Sequence, residues 1–191
     1  MKYLLTTISS FILLLSATTA FSQYEVDFND GSTSYYEALC WDIDEASVST
    51  SQPIEGNRSI RTSKLDDDIG IIISPWVSLS GSGNLPFKHR IYNYNGSRNL
   101  KVYIISEANP SGELLFDYDY SNGTTKTESI AITQSGVYKF KWRFSGSGGN
   151  SRGQLDLVSI PGTYASDPSN DCDPIAVNPD TDGDGVPDTE D

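Results

Sequence analysis

The chain has 191 residues, with 26 acidic and 13 basic side chains, a formal net charge of −13 and one histidine. Domains usually contain about 100–150 residues, so this length excludes two large domains but leaves room for one domain and a tail. The acidic excess argues against nucleic acid as a partner, because binding to a phosphate backbone needs a basic surface. A single histidine, His89, leaves little material for a serine- or cysteine-hydrolase triad.

The first 22 residues have the features of a secretory signal peptide. Lys2 supplies the positive charge, an apolar run follows, and Ala20-Phe21-Ser22 is a small-x-small pattern that predicts cleavage before Gln23. The alternatives are cleavage after Ala20 and an uncleaved anchor, although the apolar run is shorter than the ~20 residues of a membrane span. We therefore predict a secreted or cell-surface protein without membrane insertion.

The two cysteines, Cys40 and Cys172, lie near the two ends of the mature domain. In an oxidising compartment an even pair of cysteines favours a disulfide. Two separate buried thiols are the alternative. Neither interpretation makes Cys40 a nucleophile.

The charge distribution predicts one domain over residues 23–164 and a linker over residues 165–179. Residues 23–164 contain 17 acidic and 12 basic side chains, whereas residues 165–191 contain 9 acidic side chains and no basic one. This tail also has four prolines and almost no large apolar side chains, so it lacks the material for a core of its own.

Hydrophobic alternation predicts that the domain is built from strands. The clearest alternating segments are residues 85–91, 100–105, 114–120 and 138–144. Turn clusters rich in Gly, Asn and Ser separate them, and one of these is predicted over residues 109–112. The last segment has an aromatic face and a cationic face, formed by Tyr138, Phe140, Trp142 and Phe144 and by Lys139, Lys141 and Arg143. We predict an all-β antiparallel jelly roll or β-sandwich without a helix of ordinary length, followed by an acidic, mostly irregular tail.

A series of short motifs resembles the MAM-like jelly-roll adhesin modules of secreted Bacteroidetes proteins. In chain order the motifs are Val26-Asp27-Phe28, Cys40-Trp41, Ile73-Ser74-Pro75-Trp76, Leu85-Pro86-Phe87-Lys88-His89-Arg90, and Phe144-Ser145-Gly146 through Arg152-Gly153-Gln154-Leu155-Asp156 to Ile160. They extend over nearly the whole mature domain. The resemblance implies a jelly-roll fold, a role in adhesion, and a location on the extracellular side of a Gram-negative outer membrane.

Residues 180–191 have the spacing of a calcium-binding loop. Carboxylates stand at positions 1, 3, 5, 9 and 12, and Gly185 occupies position 6, where a sharp turn is needed. Ca²⁺ takes six to eight oxygen ligands, and such a loop wraps them around one ion. The predicted ligands are Asp180, Asp182, Asp184, the carbonyl of Val186, Asp188 and Asp191.

The flanks of this loop are unlike those of an EF-hand, since Pro179 precedes the loop and Pro187 lies inside it. The segment instead resembles a thrombospondin type 3 repeat, which implies a calcium loop with little regular structure. A dockerin repeat and a solvated acidic linker that binds nothing are the alternatives. Because the sequence ends on the last predicted ligand, we expect the natural polypeptide to continue into further repeats or domains.

Three tyrosines are the candidate ligand-binding residues. Tyr92 and Tyr94 flank a turn, and Tyr103 alternates outward beside Lys101, while Trp41 or Trp76 are further candidates for partial exposure. Aromatic faces near amides and charges suit sugar rings, and the cationic strand suits an acidic glycan. The alternatives are that the aromatics fill the core and that the cations only face solvent.

We favour a non-catalytic, calcium-binding adhesion or carbohydrate-binding module whose partner is a glycan or a cell-surface protein. His89 shares its alternation face with Leu85 and Phe87, which predicts a core or groove histidine rather than a catalytic one. The acids beside turns and strand ends, Glu107, Glu113 and Glu128, are typical of a surface. The alternatives are a glycoside hydrolase or its accessory domain, and a structural protein-binding domain of a surface assembly.

Overall fold

Antiparallel strands make up most of the computed structural model, which describes residues 23–65, 68–147, 149–168 and Cys172. The strands are β1 (Gln23–Val26), β2 (Asp42–Asp44), β3 (Ala46–Ser49), β4 (Ser59–Thr62), β5 (Gly70–Ile73), β6 (Val77–Ser80), β7 (Gly83–Tyr92), β8 (Ser97–Ser106), β9 (Asn109–Tyr120), β10 (Lys126–Ile132), β11 (Ser135–Ser147), β12 (Arg152–Asp156), β13 (Val158–Pro161) and β14 (Thr163–Tyr164). The helix in these residues, α1 (Thr33–Ala38), has fewer than two turns, and the Ser32 side chain caps its N-terminus by accepting from the backbone N–H of Tyr35.

Two antiparallel sheets form a sandwich. The first, which we call the β7 sheet, has the strand order β10-β7-β12-β4-β3. The second, the β11 sheet, is organised around the long strand β11. On one side β11 pairs with β8, which pairs in turn with β9; on the other side β11 pairs with β5, which pairs in turn with β2. β6 pairs with the beginning of β11, and β1 and β13 form a separate two-stranded ladder. The predicted all-β sandwich is therefore confirmed.

The core lies between the two sheets and is centred on the aromatic face of β11. Phe140, Trp142 and Phe144 have no exposed surface, and the Trp142 ring lies 6.2 Å from Trp41 and 6.0 Å from Phe87 between centroids. Each large apolar side chain buried in this way stabilises the fold by about 1.5–3 kcal/mol. The alternation predicted for β7, β8 and β11 is confirmed.

Two predictions along β9 are wrong. Residues 109–112, predicted as a turn, begin the strand, and the tight turn lies at Glu107 and Ala108 instead. Alternation over residues 114–120 predicts that Leu114 and Phe116 share one face, which is the inner one, but Leu114 is 47% exposed. A β-bulge between Val102 and Tyr103 shifts the register, so that Leu114 pairs with Tyr103 on the outer face. Counting alternate residues does not detect the extra residue of a bulge.

The predicted disulfide between Cys40 and Cys172 is present. Cys40 follows α1, and Cys172 lies beyond the last strand, so the bond ties the segment after the sandwich to the end of the helix. The predicted signal peptide and the predicted calcium loop lie outside the described residues. Within the described ranges, none of the helices has the length and apolar character needed to cross a bilayer.

Candidate functional site

The outer face of the β7 sheet is covered by the segment that connects β3 to β4. Arg90 and Gln154 both donate to the backbone carbonyl of Gln52 in this segment, and Asp156 accepts the backbone N–H of Glu55 at 3.0 Å. Gln154 and Asp156 point outward from the sheet and yet have no exposed surface. This segment therefore keeps a large ligand away from the centre of that sheet.

The outer face of the β11 sheet carries no such cover within the described residues. Its central row consists of Lys139, Lys141 and Arg143. The cross-strand neighbours of Lys141 and Arg143 are Tyr103 and Lys101 on β8 and Ile73 and Ile71 on β5. We call this surface, together with Trp76, the β11 face. It combines cations, aromatic rings and half-buried aliphatic side chains.

Two lysines of the β11 face lie over aromatic rings. The ammonium of Lys139 is 4.8 Å from the centre of the Trp76 ring, and that of Lys141 is 4.7 Å from the centre of the Tyr103 ring. Such cation–π contacts stabilise an exposed pair by only about 0.5–1 kcal/mol. The flexible lysine side chains can therefore leave the rings and contact a ligand at little cost in free energy. The aromatic rings and the ammonium groups are then both available to the same ligand.

On the β9 side of the β11 face, two acidic side chains are held by residues of β8. Lys101 lies 3.3 Å from the Asp117 carboxylate, and the Asn99 amide donates to both Asp117 and Asp119, at 2.6 and 2.9 Å. The hydrogen bond from Asn99, with a further contribution from Lys101, lowers the pKa of Asp117 below its ordinary value. The Asp117 carboxylate therefore stays ionised, and Asn99 and Lys101 hold it at the β9 edge.

A hairpin and a groove border the β11 face. At the β8–β9 hairpin, the Lys141 ammonium donates to the backbone carbonyl of Ser111 at 3.1 Å. Beside Trp76 and Lys139, a groove of about 400 Å³ extends to Asp42, Asp167 and the disulfide. The face therefore continues into a concave region of the kind that ligands occupy.

The structure does not bring the three predicted tyrosines together. Tyr103 lies in the β11 face, whereas Tyr92 lies on the opposite side of the sandwich, with the Arg61 guanidinium 5.3 Å above its ring. Tyr94 lies at one end of the sandwich, where its hydroxyl donates to the backbone carbonyl of Tyr120 at 3.0 Å. Of the two tryptophans considered, Trp41 is in the core at 2% exposure and Trp76 is half-buried. Tyr103 and Trp76 are thus the aromatic candidates that share one surface.

His89 is a core histidine, as predicted. It has no exposed surface, its Nδ1 contacts the Tyr120 hydroxyl, and its Nε2 lies 3.7 Å from the Glu128 carboxylate. Burial, with a contribution from Lys126, lowers the pKa of His89 to about 4. The imidazole is therefore neutral at physiological pH and packs among aromatic rings.

The other acids considered for catalysis are dispersed. Glu107 and Glu113 are exposed on the β8–β9 hairpin, whereas Glu128 lies on the edge strand β10. Among the residues that the structure describes, no group of three or more His, Cys, Asp or Glu side chains is arranged to hold a metal ion. The predicted calcium ligands Asp180, Asp182, Asp184, Val186, Asp188 and Asp191 lie outside these residues.

The chain has the jelly-roll fold found in bacterial adhesin domains and carbohydrate-binding modules. It is similar to the K1 cleaved adhesin domain of Lys-gingipain from Porphyromonas gingivalis W83, with a TM-score of 0.58 and 16% identity over 74% of this chain and 99% of that one. It is also similar to the CBM22-1 xylan-binding domain of Xyn10C from Paenibacillus barcinonensis, with a TM-score of 0.54 and 12% identity over 78% and 100%. A third similar structure is CBM27-1 from Caldicellulosiruptor saccharolyticus in complex with mannohexaose, with a TM-score of 0.51 and 17% identity over 75% and 99%.

At these identities the similarity concerns the fold. No protein-family model matches the sequence, and a comparison with characterised proteins gives no match. The adhesin neighbours agree with the adhesin-like jelly roll that the motifs indicated. Fold similarity does not identify a ligand, so the function has to be argued from the surface itself.

Proposed function

We propose that this protein is a secreted, non-catalytic glycan-binding module and that the glycan binds to the β11 face. The observation that carries the proposal is the contrast between the two outer faces. One is covered by the segment between β3 and β4, and the other presents Tyr103 and Trp76 beside three cations. The occurrence of this fold in carbohydrate-binding modules supports the same proposal.

Tyr103 and Tyr92 provide a matched test, because each ring lies under a basic side chain but the two rings are on opposite faces of the sandwich. We expect Tyr103→Ala to weaken glycan binding about tenfold, because a stacked aromatic anchor typically contributes 1–2 kcal/mol to binding. Tyr92→Ala should leave the affinity unchanged. The measurement is a glycan array with the secreted protein, followed by calorimetric titration of the best ligand with both variants and wild type.

Two results count against this proposal. If Tyr92→Ala weakens binding and Tyr103→Ala does not, the ligand site is on the opposite sheet. If the array is blank with folded protein, glycan binding itself is wrong. A blank array favours the second candidate function, a protein-binding adhesin domain, which the similarity to the Lys-gingipain adhesin domain supports.

We also propose that the tail binds one Ca²⁺ through Asp180, Asp182, Asp184, the carbonyl of Val186, Asp188 and Asp191. The alternating carboxylates and the glycine at position 6 support this proposal. In this scheme the ion orders the tail as a spacer, in the manner of a thrombospondin type 3 repeat.

Replacing one ligand of the tail should separate calcium binding from glycan binding. We expect Asp182→Asn to weaken Ca²⁺ binding at least about tenfold, because it removes the negative charge of one ligand and the affinity of such a loop depends on the number of charged ligands. Asp173→Asn, an acidic position before the loop, is the matched control. Calorimetric titration with Ca²⁺ measures the affinity, and hydrogen exchange of the tail in calcium and in EDTA measures its order. Equal Ca²⁺ affinities of the two variants would show that the loop is only a solvated acidic segment.

A further inference from the structure

We propose that the glycan bound by the β11 face is acidic, a polysaccharide whose carboxylate or sulfate groups contact Lys139, Lys141 and Arg143. This inference rests on the proposed function and specifies its ligand class. It follows from how the basic side chains of the molecule are partnered.

The basic side chains in the described part of the chain have different kinds of partners. Lys88 contacts the Glu55 carboxylate and Lys101 contacts that of Asp117, while Arg90 is bound to Gln154 and to the carbonyl of Gln52. Of the β11 row, Lys139 lies over the Trp76 ring, Lys141 donates to the backbone carbonyl of Ser111, and Arg143 donates to the Ser145 hydroxyl. None of the three forms an ion pair with a carboxylate of the described residues. Three successive outward positions of one strand therefore carry positive charge without a carboxylate, in a protein whose net charge is −13.

Carboxylates lie near Lys139, where Asp42 and Asp167 line the same groove, but the strand neighbours of Lys141 and Arg143 supply none. Arg143 lies directly opposite Lys101, and like charges in that position destabilise a sheet. On the other side, Lys141 and Arg143 face Ile73 and Ile71, which supply no counter-charge. Burial lowers the pKa of Lys141, and Arg143 lowers it further. A bound anion would relieve this repulsion, whereas a surface arranged only for stability would place acids beside these cations.

The acidic edges of the sheet limit the width of the ligand. Asp42 and Asp44 lie on β2, and Asp117 and Asp119 lie on β9, on either side of the central strands. Because neighbouring strands are about 4.8 Å apart, the cationic strip is only about three strands wide. A single polysaccharide chain that follows β11 fits within this strip. A broader polyanion, such as duplex nucleic acid, would meet carboxylates on both sides.

The side chains of the strip suit an anionic sugar. Successive outward side chains of a strand are about 6.6–6.8 Å apart, so the three cations are spaced to contact separate charged groups along one chain. Lysine and arginine form strong charge-assisted hydrogen bonds with carboxylate or sulfate oxygens, and the guanidinium can bind two oxygens at once. The Trp76 and Tyr103 rings lie beneath two of these charges, where a sugar ring can stack.

The test compares two triple variants with the same change in net charge. The first is Lys139→Gln with Lys141→Gln and Arg143→Gln, and the control is Arg61→Gln with Lys64→Gln and Lys126→Gln, three cations outside the β11 face. The probes are polygalacturonate for carboxylate, chondroitin sulfate for sulfate, neutral xylan and mannan, and single-stranded DNA. Circular dichroism and thermal unfolding confirm that both variants are folded.

We expect wild-type protein to bind polygalacturonate, chondroitin sulfate or both in 0.15 M salt, and more tightly than the neutral glycans. The β11 variant should bind the acidic probe at least about 30-fold more weakly and with a smaller salt dependence, because hydrogen bonds to charged groups contribute strongly and are screened by ions. The control variant should retain wild-type affinity. Comparison of the two acidic probes identifies carboxylate or sulfate as the preferred group.

Several outcomes overturn the inference. If only neutral glycans bind and Tyr103→Ala weakens that binding, the acidic ligand is wrong while the proposed function stands. If no glycan binds, both are wrong. Equal binding of DNA, with the same loss in the β11 variant, indicates a general polyanion surface. A control variant that loses as much affinity as the β11 variant shows that net charge, rather than this row, determines binding.

Discussion

Replacing Cys40 and Cys172 by serine is expected to lower the free energy of unfolding by about 5 kcal/mol. The disulfide joins residues that are 132 positions apart. A cross-link removes conformations from the unfolded chain, and this effect increases with the length of the closed loop. A single domain of this size is usually stable by only 5–15 kcal/mol, so the loss is a large part of the total.

The measurement is unfolding in guanidinium chloride, with wild-type protein in the presence and absence of reductant. The single variants Cys40→Ser and Cys172→Ser should be destabilised about as much as the double variant, because each removes the same bond. A loss below about 1 kcal/mol in Cys172→Ser would contradict the entropic argument for this loop.

The disulfide also connects the fold to the candidate site. Both cysteines line the groove that contains Trp76 and Lys139. In the variant without the bond, the chain after β14 is no longer tied to the end of α1. Glycan binding by the double variant therefore reports whether this groove takes part in ligand binding, provided that the variant is measured well below its unfolding midpoint.

Much of the fold could be predicted from the sequence because it depends on local alternation. The inward positions of β7, β8 and β11 follow directly from the period of two, and the buried position of His89 follows from its place between Phe87 and Ile91. The disulfide follows from an even pair of cysteines in a secreted chain. In each of these cases the prediction needs only the residue pattern within one strand, or the knowledge that the protein is exported to an oxidising compartment.

The site was less predictable because it depends on which strands become neighbours. Tyr92 and Tyr103 both occupy outward positions, and alternation alone does not show that they face opposite sides of the sandwich. The cover over the β7 sheet depends on contacts between Gln52 and Gln154, which are 102 residues apart. The bulge beside Tyr103 changes the partner of Leu114 without any residue type that marks it.

The cationic row of β11 was visible in the sequence, but its meaning was not. Lys139, Lys141 and Arg143 alternate with aromatic residues, as in many strands with one solvent-facing side. The sequence does not show that none of the three forms an ion pair with a carboxylate of the described residues, or that Lys101 lies opposite Arg143. Both facts come from the pairing of distant strands.

Asp156 is expected to make the stability of the folded protein depend strongly on pH, because its carboxyl group has no exposed surface. Desolvation raises its pKa to about 7, and Asp27 adds to this rise, whereas the hydrogen bond from the Leu157 N–H and the charges of Lys88 and Arg90 oppose it. In the unfolded chain an aspartate has a pKa of about 3.9. The folded protein therefore binds the proton more tightly, and the contribution of Asp156 to stability is complete below pH 4 and is lost as the pH rises through 7.

We expect the stability of wild-type protein to fall by about 3 kcal/mol relative to Asp156→Asn between pH 5 and pH 8, since one pKa unit corresponds to 1.36 kcal/mol. The asparagine has no charge to bury, but it has one acceptor oxygen where the carboxylate accepts the N–H groups of Glu55 and Leu157. The stability lost with one of these hydrogen bonds is independent of pH. The ionisation of Asp156 is therefore measured by how the stability difference between wild type and Asp156→Asn changes with pH, and not by its value at one pH.

The contribution of His89 to stability changes with pH in the opposite direction, so the two contributions have to be measured separately. Its folded pKa of about 4 lies below its unfolded value, so its contribution to stability is lost as the pH falls from about 6.5 to 4. Because His89 is present in both proteins, its contribution cancels in the difference between wild type and Asp156→Asn. The measurement is urea unfolding of both proteins from pH 4.5 to 8.5 in EDTA, so that no divalent cation compensates the carboxylate. Parallel stability curves would mean that Asp156 ionises in the fold as easily as it does in water.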